Sequence, residues 1–518
     1  MTRMSQAYVV REHKNEVVEV VSPSGTTDFF DPQADLHLSK ELLEQFNQIT
    51  SSDGIPLYKL WHYKGFYLEP ALQERIFWDV FVHIVKHRKV LSYLRGKQVT
   101  FERFPYYTVS GVFRFYTFLR RHHSLLKRAL YNLFPVLSSK PDLSSKILFK
   151  DDGEDGPRFG KMKASLSSFT EYVPASLLKA NKRSLLSIRK CQFTYGRSCL
   201  FYPNVPKISY SPWEFLQPFL SEEEFHLLIA GIHRRCWDKI CEIRSCERRF
   251  VHNRPKTILS YDQMEDAIGL IAAGRILSIP TYSFQHGVLT KFHSGWMGFG
   301  IPPEYCNLVP DAIVVWGEYW KEKLLNYSNK YRADNVIVGA HLNREIRYEF
   351  DPLSPMEAAI TVLVPYEFLA DNQAISKYLN LFLDYGWKVI VKLRPAGDGD
   401  VSNDILAYDE GLREQLVFQY ELTDEDLRNI HVVVATQTTF AYEMLPHQKA
   451  IWYLDTPFTM LEDLVPDGFA YHVNMEIALK MKDPSFLSPY LKPCYTFDMY
   501  KHVFSDKNQK TALQELLL

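Results

Sequence analysis

Thr257-Ile-Leu-Ser-Tyr-Asp262, then Gln263 to Leu277, then Ser278-Ile-Pro-Thr-Tyr-Ser-Phe-Gln-His-Gly287 read in succession as strand, helix and strand. A carboxylate leaves the first strand and a Gln-His-Gly turn leaves the second. Side chains at the carboxyl ends of neighbouring parallel strands converge on the crevice where open α/β sheets bind ligands. Asp262, Glu265 and His286 are therefore candidates for one shared site.

The same rhythm continues outward. Lys256–Tyr261 is a strand candidate, Met264–Leu277 a helix, Thr281–Phe284 and Asp311–Trp316 strands, Glu318–Tyr327 a helix and Asn335–Gly339 a strand. Strands alternating with helices imply right-handed crossovers and a parallel sheet. After residues 341–355 the pattern starts afresh with Ala359–Pro365, a continuous apolar run of the kind buried on both faces. Asn372–Tyr385 is a helix, Trp387–Leu393 a strand, Asp404–Gln419 and Asp424–Asn429 helices, and His431–Ala435 a strand. Thr439–Leu445 opens a helix and Ala450–Leu454 closes the series as a strand.

Upstream, Leu36–Ile49, Pro70–Leu94 and Ser221–Phe250 have helical spacing, and residues 151–157 (Asp-Asp-Gly-Glu-Asp-Gly-Pro) form a loop. The expected fold is α/β, with two Rossmann-like domains facing across a cleft and a mostly helical N-terminal region. Residues 1–150 are the helical accessory part of the first domain, 151–345 its Rossmann-like part, and 346–490 the second domain. Residues 491–518 form an amphipathic tail that packs back on the first domain.

Composition narrows the function classes. A chain of 518 residues exceeds one ordinary hydrophobic core. Its 46% hydrophobic and 23% charged content is that of a soluble globular protein, and a net charge of -1 argues against bulk nucleic-acid affinity. Seven cysteines (Cys191, Cys199, Cys236, Cys241, Cys246, Cys306 and Cys494) include no CxxC pair, so free thiols in a reducing cytoplasm are expected. The polar first twenty residues are unlike a secretory signal, and no apolar run approaches the roughly 20 residues of a membrane span. Residues 114–134 interleave Arg120, Arg121, Lys127 and Arg128 with Phe115, Phe118, Leu125 and Leu126. Such a segment suits either the inner membrane surface or a core helix with a solvated basic face.

Each candidate residue has a functional and a structural reading. His286 sits between Gln285 and Gly287, whose missing side chain lets a ligand approach the backbone. A histidine there donates to phosphate or transfers protons near neutral pH. Asp262 and Glu265 also fit an N-cap and its capping-box partner, a pairing that stabilises a helix by about 1 kcal/mol. Thr436-Gln-Thr-Thr439 follows an apolar strand and precedes Glu443, which is placed for a ribose diol. Hydroxyls and unpaired amides at such a turn suit a phosphate, or simply cap the helix. Lys392 and Arg394 end the neighbouring strand and add positive charge toward the same crevice. Gly295, Trp296, Gly298 and Gly300 mark a glycine-rich loop that either closes over an acceptor or is plain surface. No Walker loop, HExxH or GxSxG pattern is present, and no Asp-x-Asp pair follows a strand as in metal-chelating nucleotide-sugar sites.

Between about residues 256 and 456 the ordered elements resemble glycosyltransferases of the GT-B fold, in particular the bacterial surface-polysaccharide group. The elements are Gly274 to Gly287, Pro310 to Glu318, Asn335 to Gly339, Lys392-Leu-Arg-Pro395, and Thr436 to Glu443 followed by Lys449 to Asp455. The likeness is nearest to capsule and lipopolysaccharide enzymes of the Kdo-transferase kind. It implies metal-independent transfer, without a further cofactor, from a nucleotide-activated donor such as CMP-Kdo or a related nonulosonate. The implied acceptor is a growing surface polysaccharide or lipid-linked glycan. In that family a basic residue before Pro and a Ser/Thr pair at a helix start hold the cytidine nucleotide, which match Arg394-Pro395 and Thr438-Thr439. The usual histidine at the first position is Arg394 in this chain. An acidic residue with a nearby histidine acts at the anomeric carbon, and Asp262 and His286 are the matches, with Glu265 competing for the acidic role. A non-hydrolysing sugar-nucleotide epimerase and a catalytically silent GT-B-like scaffold are the alternatives.

Overall fold

The computed structural model describes residues 7–12, 17–102, 142–144, 146–150, 160–168, 170–174, 209–261, 267–341, 350–351, 359–365, 369–393, 410–435, 439–458 and 460–517. The chain divides into two compact units. One comprises Met1–Leu36, Val85–Pro105 and Arg347–Val503, the other His37–Ile84, Tyr106–Ile346 and Phe504–Leu518. Both are discontinuous in sequence: Met1–Leu36 and Val85–Pro105, read from the sequence as part of the first domain, cluster with Arg347–Val503.

The amino-terminal region begins with a small sheet ahead of its helices. β1 (Tyr8–Glu12), β2 (Val18–Val21), β3 (Thr27–Phe30) and β4 (Val99–Phe101) form a four-stranded sheet in the order β3-β2-β1-β4. Only the β1–β4 pair is parallel. Val17, Phe29 and Ala34 pack with Phe458 and Ala374, which explains why this segment joins the unit built from the chain's last third. The helices follow as α1 (Leu36–Phe46), α2 (Glu69–Ile76), a π-helical turn at Phe77–Phe81, and α3 (Val82–Leu94).

The unit containing residues 106–346 is built on β5 (Ile147–Lys150), β6 (Tyr172–Pro174), β7 (Thr257–Tyr261), β8 (Thr281–Phe284), β9 (Ala312–Val315) and β10 (Val336–Val338). All neighbours are parallel, in the order β10-β9-β8-β7-β5-β6. Its helices include α4 (Gly160–Ser167), α5 (Glu222–His252), α6 (Ile268–Ile276) and α7 (Glu318–Tyr327). α5 starts where Ser221 and Glu224 form a reciprocal capping box, with Glu224 N–H donating to Ser221 Oγ at 3.3 Å and Ser221 N–H to Glu224 Oε2 at 2.7 Å. α6 lies close on the sheet: a Cβ at Gly274 would meet Thr281 Cγ2 at 2.7 Å and Ile258 Cδ1 at 2.8 Å. Leu513 and Leu517 of the tail pack with Phe149 of β5 and with Met162 and Leu166 of α4.

The other unit repeats the architecture with β11 (Thr361–Pro365), α8 (Leu369–Asp384), β12 (Lys388–Lys392), β13 (Val417–Gln419), α9 (Asp424–Asn429), β14 (Val432–Ala435), α10 (Phe440–Glu443), β15 (Ala450–Leu454) and β16 (Tyr471–Val473). The six strands are parallel in the order β13-β12-β11-β14-β15-β16. β11, β14 and β15 are buried at every residue, the signature of strands covered on both faces. Trp452 is fully buried among Phe382 and Trp387, and its Nε1 donates to Tyr490 O at 2.9 Å. Residues 417–419, read from the sequence as the end of a helix, instead extend the sheet beside β12. The protein thus contains two Rossmann-like α/β domains, each built on a six-stranded parallel sheet.

Candidate active site

Strand order locates the crevice in each sheet. In chain order the second sheet runs 3-2-1-4-5-6, so its connections reverse direction between β11 and β14. The first sheet runs 2-1-3-4-5-6 and reverses between β5 and β7. Ligands of open α/β sheets bind outside the carboxyl ends of the strands at these reversals.

In the first sheet, β8 runs directly into Gln285. Gln285 is 1% exposed and both ends of its amide are committed to backbone. Its Oε1 accepts from Trp316 N–H at 3.0 Å and its Nε2 donates to Gly287 O at 2.8 Å. Its main chain is held as well, with N–H donating to Val314 O and the carbonyl accepting from Trp316 Nε1, both at 2.9 Å. This residue clamps the turn after β8 to the end of β9. His286, half-buried, and Gly287 are carried on the clamped turn. A Cβ at Gly287 would meet no atom within 4 Å, and the backbone there is outside the left-handed region. Neither packing nor conformation therefore requires glycine at that position.

Trp316, the residue after β9, lies against other aromatic rings. Its ring centroid is 4.4 Å from that of His341 and 6.0 Å from that of Phe504, while Ser505 N–H donates to Trp316 O at 2.7 Å. The glycine-rich segment that follows the turn is packed and anchored. Trp296 is 1% exposed, and Lys330 Nζ donates to Pro70 O at 3.0 Å, Ser294 O at 3.3 Å and Gly295 O at 2.9 Å. The reading of this segment as a loop that closes over an acceptor gives way to one of a fixed wall, because buried carbonyls need partners and Lys330 supplies them.

β7 and β8 are adjacent, so the segment after Tyr261 and the turn at His286 leave the same edge of the sheet from neighbouring strands. Asp262 and Glu265 themselves lie outside the described residues. At the other side of the reversal β5 ends in Lys150, opposite Ser260 of β7. β5 is not legible in the sequence, because a four-residue strand before an acidic loop has too short a pattern to separate from its surroundings.

In the second sheet, Lys392 is the last residue of β12 and its Nζ donates to Leu393 O at 2.7 Å. Thr439 precedes α10, but its hydroxyl makes no capping bond to that helix and donates instead to Glu443 Oε1 at 3.2 Å. The simple capping role is thus absent at Thr439, and Glu443 is drawn back toward the strand end. Arg394, Thr436 and Thr438 lie outside the described residues. His431, at the start of β14, accepts from Thr361 N–H through Nδ1 at 3.2 Å while 3% exposed, a structural histidine at the opposite end of the strand from Thr439.

Among the described residues the thiols of Cys246, Cys306 and Cys494 are free and Cys241 is disulfide-bonded, which departs from the expectation of thiols throughout. Among the described residues no helix is long and apolar enough to cross a membrane, and no cluster of three or more His, Cys, Asp or Glu is arranged to hold a metal ion. The basic segment at 114–134 lies outside the described residues.

No family model and no curated protein sequence matches the chain. Solved structures similar to it include MurG of Acinetobacter baumannii, at 11% identity and a TM-score of 0.38, covering 72% of this chain and 98% of that one. The UDP-GlcNAc 2-epimerase of Neisseria meningitidis bound to UDP-GlcNAc has 13% identity and a TM-score of 0.39, covering 72% and 99%. CalG4, the calicheamicin glycosyltransferase, has 12% identity and a TM-score of 0.43, covering 72% and 97%. The strand orders of the two sheets, rather than these superpositions, carry the fold.

Proposed function

We propose that the chain is a GT-B-type glycosyltransferase that moves a sugar from a nucleotide-activated donor to a glycan acceptor. The observation that carries this is the pair of sheet reversals: β14, at one of them, is followed in sequence by Thr436–Glu443, with Lys392 and Arg394 after β12 on the far side of β11, and β7, at the other, is followed by Asp262 and Glu265, with His286 after its neighbour β8. The donor is a CMP-sugar such as CMP-Kdo or a related nonulosonate, and the acceptor a surface polysaccharide or lipid-linked glycan at the cytoplasmic side of the inner membrane.

In this reading Lys392, Arg394, Thr436, Thr438 and Thr439 receive the departing phosphate, and Glu443 the ribose diol. Positive charge and hydroxyl donors lower the barrier most where negative charge develops, on the leaving oxygen. Asp262 or Glu265 takes the proton of the acceptor hydroxyl. His286 orients donor or acceptor from its turn, Gly287 leaves room for a substrate to pass close to the backbone, and Gln285 holds both in place. The chemistry as written calls for no metal, since the cationic side chains carry the charge balance.

A thermal-shift panel of CMP, CDP, UDP and GDP tests the reading. A ligand at one hundred times its Kd stabilises the folded state by about 2.7 kcal/mol, enough for a clear rise in Tm. CMP is expected to give the largest rise. No shift with any nucleotide overturns the donor site, and a shift with UDP alone overturns the cytidine assignment.

A further inference from the structure

Every backbone carbonyl from Ser294 to Ile301, in the wall that follows the His286 turn, accepts a hydrogen bond. Ser328, Asn329 and Lys330, just after α7, supply those to Ser294 through Gly298 and to Ile301, while Asn47, Gln48 and Gln73 supply those to Phe299 and Gly300. All of these residues belong to the unit containing residues 106–346. A buried carbonyl that loses its partner is left at a free-energy cost, so the wall stays in place only while its donors do. Lys330 is the charged donor. It is 7% exposed, and its Nζ donates to Pro70 O at 3.0 Å as well as to Ser294 O at 3.3 Å and Gly295 O at 2.9 Å.

Pro70 is preceded by Glu69, the first residue of α2. Glu69 is fully buried, and neither of its carboxyl oxygens has a hydrogen-bond partner. A bare carboxylate is strongly disfavoured there, so burial pushes the group up to about 8 against the pull of Lys330. The Cys306 thiol feels both Lys330 and Glu69, but desolvation drives it up to about 12 and it stays neutral over the same range. Glu304, which also acts on Cys306, is exposed. Glu74 of α2 and His293 approach the wall at Gly295, where a Cβ would lie 3.0 Å from Glu74 Oε2 and 3.4 Å from His293 Cε1. Among these neighbours Lys330 is the cation whose charge reaches Glu69.

We propose that Glu69 and Lys330 form a proton-controlled latch on the Ser294–Ile301 wall. With its proton, Glu69 is neutral and Lys330 stays on the carbonyls of Ser294 and Gly295. Without it, a bare carboxylate lies buried near an ammonium bonded to the next residue's carbonyl, and opposite charges attract strongly where water is scarce. Lys330 then turns to Glu69, the two carbonyls lose their donor, and the segment from Ser294 to Gly298 opens locally. The sign follows from the raised carboxyl: the wall is closed at pH values below about 8 and released above. The latch goes beyond the glycosyltransferase reading and does not depend on it, since no substrate takes part.

Amide hydrogen exchange of the full chain at about pH 6 and about pH 9, each rate divided by the intrinsic rate at that pH, reads the latch. The amides of Ser294, Trp296, Met297 and Gly298 are hydrogen-bonded within their own segment. Their protection is expected to fall about tenfold or more between the two pH values in the wild type, while the amides of β8 and β9 keep theirs. Glu69→Gln, which has no proton to lose, holds the segment at both values and separates Glu69 from Glu74 and His293. Lys330→Met leaves the segment weakly protected at both. Protection that does not change with pH in the wild type overturns the latch, and so does an equal fall in Glu69→Gln. A loss confined to the first turn of α2 also overturns it, because Glu69 then reaches water without moving Lys330. If Lys330→Met does not fold, the wild type and Glu69→Gln decide the question. A chain that binds no nucleotide removes the donor assignment and leaves the latch standing.

Discussion

At the residue scale, Gln285 shows how a short polar motif divides its labour. His286 stands beside it, half-buried, while the two ends of the Gln285 amide are spent on Trp316 N–H and Gly287 O. Gln285→Ala leaves those buried groups without partners, a loss of about 2 kcal/mol by the usual cost of an unsatisfied buried donor or acceptor. Urea unfolding of the variant checks this, and transfer activity is expected to fall with the loosened turn. Glu69 is the second informative residue. It is fully buried, and desolvation pushes its carboxyl up to about 8, against the opposing pull of Lys330. A carboxyl raised in the folded state is bound to its proton over a range where the unfolded chain has lost it. Its stabilising contribution is present below the ordinary glutamate range and is lost as pH rises toward 8. Tm is therefore expected to decline between about pH 5 and 8, and Glu69→Gln to flatten that decline. An unchanged slope in the variant excludes Glu69 as its source.

At the element scale, the doubly buried strands were the most legible part of the chain. Thr281–Phe284, Ala450–Leu454 and the helices Glu318–Tyr327 and Asp424–Asn429 fall where periodicity and turn signals put them. Long apolar runs bounded by polar turns leave few alternatives. Elements whose identity depends on a partner were not legible. β5 acquires its meaning only from register with β7, and Val417–Gln419 becomes a strand because β12 offers an edge. β1 to β3, half-buried and short, were hidden within a region dominated by helical spacing. The close seating of α6 gives a direct check. Gly274→Ala forces a methyl group into Thr281 and Ile258 and is expected to cost about 1–3 kcal/mol, as overpacked cores do. A variant as stable as the wild type would mean that α6 sits further from the sheet.

At the scale of the whole molecule, two α/β units of similar architecture each contain a six-stranded parallel sheet whose strand order reverses once. The strand orders were not readable from one sequence, because order depends on which edges pair and not on how each strand is composed. The discontinuous units were hidden for a related reason: the anchoring of residues 17–34 on Phe458 and Ala374 is a long-range packing event. The proposed division of work predicts separable defects. Asp262→Asn or Glu265→Gln abolishes transfer while leaving CMP affinity intact, measured by product formation and by titration on the same preparations. Loss of CMP binding in either variant places the acid in the donor half of the enzyme.

The most direct measurement of the central claim is the affinity of CMP for three forms of the full chain: wild type, Lys392→Met and His286→Ala. The account predicts that the wild type binds, that His286→Ala binds equally well, and that Lys392→Met binds at least tenfold more weakly. A wild type that does not bind CMP, or binding that depends on His286 and ignores Lys392, contradicts it.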